Sequence, residues 1–234
     1  MPRKPRYYLA GVPCHVISRG NNSNACFFEN EDYQFYLECL SSACRRYAVS
    51  LHAYVLMTNH VHLLMTPTDR EGISRVMQSI GRRYVQFVNV KYRKSGTLWE
   101  GRHKASLVDA ERYLLVCYRY IEMNPVRANM VSKPDQYRWS SFHENSGIMP
   151  LKRVTPHDVY QRLGIDTSSR HNTYLDLFKT ELRNDDTVIS TVSWAAQFSM
   201  PLGDSRFCEQ IENAVGRKLG YSRRGRPTAT KKAK

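Results

Sequence analysis

A chain of 234 residues can bury one full core with a small addition, and its 41% hydrophobic and 24% charged residues are ordinary for a folded protein. The formal net charge of +14 is not ordinary: it divides as +8 over residues 1–150, −2 over 151–215 and +8 over 216–234. No apolar run approaches a membrane span, so the charge points to a polyanion, nucleic acid, and away from a membrane partner.

Six cysteines (Cys14, Cys26, Cys39, Cys44, Cys117 and Cys208) show no C-x-x-C pair and no zinc-like spacing. The basic start, Met-Pro-Arg-Lys-Pro-Arg, is followed by no apolar signal-peptide core. A cytoplasmic protein with reduced thiols is the simplest expectation.

Residues 1–8 form a cationic, proline-bearing arm with Arg3, Lys4 and Arg6. His15 to Ser18 reads as a strand, ended by the turn cluster Arg19-Gly20-Asn21-Asn22. A helix is predicted from about Glu31 to Ala48, with Tyr33, Tyr36, Leu37, Leu40, Ala43 and Tyr47 at helical spacing. Leu51 to Met57 and His60 to Thr66 are strands joined by the tight Thr58-Asn59 connection. A second helix covers about Ile73 to Tyr92, with Arg75, Arg82, Arg83 and Lys91 off its apolar stripe. A short strand near Lys104 to Val108 leads to a third helix, with Asp109 as N-cap and Pro125 at its far end.

The order β-α-β-β-α-β predicts an α+β, ferredoxin-like antiparallel sheet with two helices on one face. Val61, Leu63 and Met65 would face those helices, and His60, His62 and Leu64 the open side. The third helix is the natural cover for that side, which would bring Tyr120 to the histidines. Beyond residue 149 the spacing predicts a helical extension over 150–216. Helices are expected after Thr155-Pro156, over Tyr174 to Leu182 and over Arg206 to Val215, with Gly216 ending the last. A basic, low-complexity tail follows over 217–234. The domain division is therefore 1–149, 150–216 and 217–234.

His60-Val61-His62 puts two imidazoles on one face of a strand, and Tyr120 and Asn124, four apart, share a helix face. Two imidazoles and an amide oxygen could hold a divalent cation with positions left open, which suits a catalytic Mg²⁺ or Mn²⁺. The plain alternatives are two half-buried sheet histidines, and an Asn124 that only caps the turn Pro125-Val126-Arg127-Ala128. Tyr113 and Tyr118 compete with Tyr120 among 15 tyrosines. Tyr113 shares the face but lies two turns from Asn124, and Tyr118 points elsewhere.

Four blocks carry a family resemblance: Met57-Thr58-Asn59-His60-Val61-His62, Leu98-Trp99-Glu100-Gly101-Arg102, Tyr118 through Ala128, and Trp139-Ser140-Ser141. Together and in this order they resemble the REP-associated tyrosine transposases, relatives of the single-tyrosine HUH transposases, strongly over about residues 5–145. The resemblance implies a metal-dependent single-stranded DNA endonuclease and strand-transferase acting on REP or BIME-like hairpins, as monomer or homodimer. It implies Tyr120 as the nucleophile, forming a 5′-phosphotyrosine link, with His60 and His62 beside it in the catalytic set. His60, His62 and Asn124 would be the ligands of Mg²⁺ or Mn²⁺. His103 departs from the family pattern, where an aromatic residue is expected, and reads as packing or DNA contact.

Arg3, Lys4, Arg6, Arg19, Arg82 and Arg83 are candidates for DNA phosphate contacts. Arg223, Arg224 and Arg226 around Gly225 and Pro227 resemble a minor-groove hook, with a solvated charge run as the alternative. Two other functions compete. A hairpin-binding regulator would lack a ligand or the nucleophile, and none is missing; a water-activating metal hydrolase would leave the Tyr120–Asn124 pairing unexplained.

Overall fold

The computed structural model describes residues 6–179 and 186–218. Strand β1 (Cys14–Arg19) leads through a short turn to α1 (Asn30–Arg46), β2 (Val49–Met57), β3 (His60–Pro67), α2 (Gly72–Lys91) and β4 (Lys104–Leu107). Helix α3 (Ala110–Glu122) and the single turn α4 (Asn124–Arg127) follow, then α5 (Phe142–Asn145), α6 (Asp158–Gln161), α7 (Thr167–Lys179), α8 (Asp186–Phe198) and α9 (Ser205–Val215). No described helix is long and apolar enough to cross a membrane.

The four strands form one antiparallel sheet in the order β2-β3-β1-β4, the order of a ferredoxin-like split β-α-β. Directly paired residues share a face, so the register sorts the side chains. Ile17 pairs with His62, Arg19 with His60 and His15 with Leu64, and all six look to one side. Cys14, Val16 and Ser18, paired with Met65, Leu63 and Val61, look to the other. That second side packs on α1 and α2, whose buried stripes (Tyr36, Leu37, Leu40 and Ala43; Ile73, Val76, Met77, Ile80, Tyr84 and Val88) repeat at helical spacing. Helix α3 covers the histidine side, as the alternation requires.

Two of the sequence blocks extend the sheet at its margins. Leu98 to Glu100 continue alongside the end of β1, through Asn21 N–H to the Leu98 carbonyl (2.9 Å) and Glu100 N–H to the Arg19 carbonyl (2.7 Å). Trp139 to Ser141 run beside the outer edge of β2, where Leu56 N–H donates to the Trp139 carbonyl (2.9 Å) and Ser141 N–H to that of Tyr54 (2.9 Å). Both blocks thus satisfy backbone groups that would otherwise form exposed edges.

The C-terminal helices differ in detail from expectation. Helix α6 is capped by the His157 imidazole, which accepts from Val159 N–H (3.1 Å), so it begins two residues later than Thr155-Pro156 implies. Helix α8 has no counterpart among the expected elements. It packs on α3, β1 and β4. Leu202 behind it pairs with β4, donating to the Leu107 carbonyl (2.7 Å) and accepting from Asp109 N–H (2.8 Å). Helix α9 and its Gly216 end, at φ 66°, match the expected boundary.

Candidate active site

The site begins in the two-residue connection between β2 and β3. Thr58 and Asn59 are held from outside: Cys26 N–H donates to the Thr58 carbonyl (2.8 Å), and Gly20 N–H to the Asn59 carbonyl (2.8 Å). A Cβ on Gly20 would lie 2.2 Å from the Asn24 carbonyl oxygen, so only glycine lets the turn from Gly20 to Asn24 close on itself. The Asn59 amide nitrogen donates to the Ser23 carbonyl (3.0 Å), which leaves its Oδ1 facing His60 Nδ1 at 2.6 Å. An amide oxygen only accepts, so His60 carries its proton on Nδ1 and offers Nε2.

His62 sits deeper, 4% exposed, and its Nδ1 lies 2.8 Å from Nε2 of His15 on β1. The two rings stack with centroids 5.1 Å apart, and the His60 ring meets His62 edge-on at 5.0 Å. Burial holds all three imidazoles neutral: His15 is lowered to about 3, His60 to about 4, and His62 well below its ordinary value of 6.5. The Arg127 charge adds to the effect at His15 and His62, and that of Arg19 at His60 and His62. Neutral imidazole is the form that ligates a cation.

Tyr120 projects from α3 onto this cluster. Its half-buried ring meets both His15 and His62 edge-on, at 5.7 Å each. The Arg127 guanidinium lies over the ring, 4.3 Å from its centroid, and also donates to the Tyr120 carbonyl. The Tyr120 hydroxyl is 3.1 Å from the Ser193 hydroxyl on α8. Between α3 and α8 a small cavity of about 110 Å³ is lined by Tyr120, Arg119, Arg127, Met123, Ile189 and Val192.

The other tyrosines are placed differently. Tyr118 is fully buried between Tyr160 and Tyr174. Tyr113 is half-buried against the core, towards the start of the helix. Asn124 requires a correction: α3 ends at Glu122, and Asn124 starts the separate turn α4 after Met123. Its amide nitrogen donates to the Tyr120 carbonyl, four residues back (2.9 Å), instead of capping the turn. Its Oδ1 keeps no hydrogen bond among the described residues.

Glu122 fixes this helix end. Fully buried, it accepts from Ser141 Oγ (2.5 Å), Asn145 Nδ2 (2.8 Å) and Tyr174 OH (2.6 Å). Burial raises its carboxyl to about 7, against the lowering by those three donors. It thereby ties α3 to the Trp-Ser-Ser block, α5 and α7.

Of the cationic candidates, Arg19 lies beside the histidines, at the exposed end of β1. Arg82 and Arg83 are exposed on α2, across the sheet from Tyr120. Arg6 donates from Nε to the His103 carbonyl (2.8 Å) and lines a cavity of about 470 Å³ with Arg75, Arg102, Trp99 and Gln78. His103 itself bonds the Tyr8 hydroxyl (2.6 Å), so it anchors the start of the described chain and stands apart from the histidine cluster. Arg3, Lys4, Arg223, Arg224 and Arg226 lie outside the described residues.

His15, Arg127 and Ser193 escaped the sequence reading. His15 had a legible signal, a polar residue at the same alternation phase as the turn arginine Arg19. Ser193 had none, because the docking of α8 depends on tertiary contacts.

No cluster of three His, Cys, Asp or Glu side chains suited to a metal ion occurs among the described residues. A donor set of two imidazoles and one amide is a different chemistry, and the side chains present fit it: both histidines are neutral, His60 offers Nε2, and Asn124 Oδ1 is unengaged.

Residues 9–124 match the family model described as Transposase IS200 like. No curated protein matches the chain. Among solved structures, the chain is similar to a REP-associated tyrosine transposase bound to a REP hairpin, at 18% identity and a TM-score of 0.55, over 68% of this chain and 93% of that one. A putative transposase from Deinococcus radiodurans R1 is 20% identical over 49% of this chain and 92% of that one, with a TM-score of 0.37. The matched segment runs from the lead-in to β1 as far as the asparagine that follows α3, and so takes in His15, His60, His62, Tyr120 and Asn124. Over residues 9–124, just under half of its length, the chain is thus similar to the IS200-like transposases.

Proposed function

We propose that this protein is a metal-dependent, single-stranded DNA endonuclease and strand-transferase that acts on REP-type hairpins through a 5′-phosphotyrosine intermediate. One observation carries the reading: the fold delivers a half-buried tyrosine to within 5.7 Å, ring to ring, of the neutral His62, whose own ring meets that of the neutral His60 at 5.0 Å. The similarity to a transposase bound to a REP hairpin supports the substrate class.

His60, His62 and Asn124 would hold the cation, Mg²⁺ or Mn²⁺. When bound, it supplies Lewis-acid polarisation of the scissile phosphate. Tyr120 Oη attacks phosphorus; the Oη–P bond forms, the P–O3′ bond breaks, and the leaving strand keeps a 3′-hydroxyl. The phenol gives up its proton to solvent as it attacks, and the departing O3′ takes one from solvent, so no net proton is consumed. Arg127, beside the ring, favours the negative charge that develops. Because the phosphotyrosine conserves the energy of the phosphodiester, a 3′-hydroxyl reverses or redirects the join.

Arg19 is the cation best placed to meet phosphate at the site. Arg3, Lys4, Arg6, Arg82, Arg83, Arg223, Arg224 and Arg226 would contribute contacts along the hairpin and its flanks, in a cytoplasmic monomer or homodimer. We retain the division into a nuclease domain over 1–149, an extension over 150–216 and a basic tail over 217–234. One observation favours a second reading, a hairpin-binding regulator with little catalysis: the Tyr120 hydroxyl is already engaged by Ser193.

A REP-like hairpin labelled on the 3′ side of the cut separates the two. With Mn²⁺ or Mg²⁺, a nuclease gives a protein-sized labelled band on a denaturing gel, and that band is absent in Tyr120→Phe. Hairpin binding with no adduct at any time supports the regulator. Cleavage without adduct supports water activation.

A further inference from the structure

His60 and His62 are oriented by different kinds of partner. Asn59 can only accept from His60, because its amide nitrogen is committed to the Ser23 carbonyl. His62 shares its Nδ1 with another imidazole, that of His15, at 2.8 Å. Two arrangements make that bond. In the first, His15 donates from Nε2, and His62 carries its own proton on Nε2, where it has no lone pair for a cation. In the second, His62 donates from Nδ1 and its Nε2 lone pair is available, while His15 carries its proton on Nδ1.

The surroundings of His15 distinguish the two. It is 1% exposed, and its Nδ1 is buried with no hydrogen-bond partner. A bare lone pair is tolerated at such a position better than an unpaired N–H. The first arrangement is therefore the resting one, and the second forms only when something occupies His62 Nε2.

We propose that His15 is a positioning residue for the cation site, and that the His15–His62 pair exchanges tautomers when a divalent cation binds. This rests on the cation site proposed above. Each ring keeps one proton throughout. The proton between the rings passes from His15 Nε2 to His62 Nδ1, His62 releases its Nε2 proton to solvent, and His15 takes one from solvent at Nδ1, so the pair loses no net proton. His15 thus acts as the acceptor that Asn59 already is for His60, and oriented acceptors of this kind strengthen ligation.

Two measurements test it. In Mn²⁺ titrations followed by the electron paramagnetic resonance of the free ion, His15→Phe keeps a planar ring but no acceptor and should bind about 10–100-fold more weakly. His15→Gln places an amide oxygen near the former Nε2 and should restore binding close to wild type, with hairpin affinity unchanged in both. In the wild-type protein labelled with ¹⁵N-histidine, saturating Mg²⁺ should move the His15 proton from Nε2 to Nδ1 in long-range imidazole spectra. Unchanged tautomers under saturation overturn the proposal, as does wild-type Mn²⁺ affinity in His15→Phe, or a folded His15→Gln as weak as His15→Phe. A wild-type protein that binds no Mn²⁺ overturns the cation site and this proposal together.

Discussion

Two residues apart on one helix, Tyr120 and Glu122 carry polar groups into opposite surroundings. Glu122 is fully buried, and three side chains from three different segments donate to it. Tyr120 is half-buried; its hydroxyl has one partner, and its ring lies against two imidazoles, those of His15 and His62, of which His15 keeps a buried nitrogen with no hydrogen-bond partner. A saturated polar group rigidifies the fold around it, whereas an undersaturated one can still bind something. On this helix the saturated group is the foundation and the undersaturated one is the tool.

The sharpest way to break that comparison is to remove each group in turn. Tyr120→Phe should lower adduct formation by about 10³-fold or more, since no other tyrosine ring among the described residues meets the His15–His62 pair. Its stability should fall by only about 0.5–1.5 kcal/mol, the worth of one ordinary hydrogen bond. Tyr113→Phe and Tyr118→Phe should still form the adduct. Glu122→Ala should do the reverse of Tyr120→Phe. It strands three buried donors at about 1–3 kcal/mol each, so a loss of about 3 kcal/mol or more is expected by denaturant unfolding. A Glu122→Ala protein as stable as wild type would end the structural reading of that residue.

The same pair of regions differs in its response to pH. Glu122 is raised in the fold from its ordinary 4.5 to about 7, so its contribution is fully present below 4.5 and is lost as pH rises through 7. The histidines act in the other direction. Burial lowers His15 and His103 to about 3, and His60 and His52, a buried residue of β2, to about 4, so their contribution is present above 6.5 and is lost as pH falls through those values. Four such groups outweigh one carboxyl, and the cation-free protein should lose stability on acidification from pH 6.5 towards 4. Glu122→Gln isolates the opposing group: wild type should lose stability relative to this variant as pH rises from 4.5 to 8, by thermal melts in matched buffers.

A smaller effect is expected far from the helix. Removing residues 217–234, which carry the +8 of the tail, should lower DNA affinity and leave the preference for hairpins over unrelated single strands. The salt dependence should shrink by about 0.7 in log–log slope for each phosphate that the tail neutralises. Loss of the hairpin preference on truncation would transfer recognition to the tail.

Most of the foundation was legible from the sequence and part of the tool was not, for physical reasons. Period-3.6 stripes marked α1 to α3, because each helix has one buried face, and short apolar runs bounded by turn residues marked β1 to β4, whose strands are buried on both faces. The alternation in β3 also placed His60 and His62 opposite the helices. What failed were features that depend on distant partners. Pro125 marked the end of α3 but not that the helix stops at Glu122 and restarts at Asn124. Helix α8 contains Thr187, Val188, Ile189, Thr191 and Val192, β-branched residues that favour helix weakly, so packing on α3 and β4 decides its form. His15 looked like one more strand residue until the register set it diagonal to His62.

The smallest expected effect concerns Ser193, where α8 meets the nucleophile. Its hydroxyl is the single hydrogen-bond partner of Tyr120 Oη among the described residues, at 3.1 Å, and both side chains are half-buried. Attack on phosphorus requires Oη to turn its lone pair to the substrate, so the Ser193 contact is compatible with catalysis only if it is weak or serves to aim the phenol. Ser193→Ala discriminates the two. Loss of one half-exposed bond should cost at most about 1 kcal/mol of stability, because water replaces the partner. If the contact is merely weak, the rate of adduct formation should stay within about a factor of ten of wild type, the equivalent of about 1.4 kcal/mol. A drop well beyond tenfold, with hairpin and Mn²⁺ affinities unchanged, would instead make Ser193 part of the apparatus that aims Tyr120 and would extend the working site onto α8.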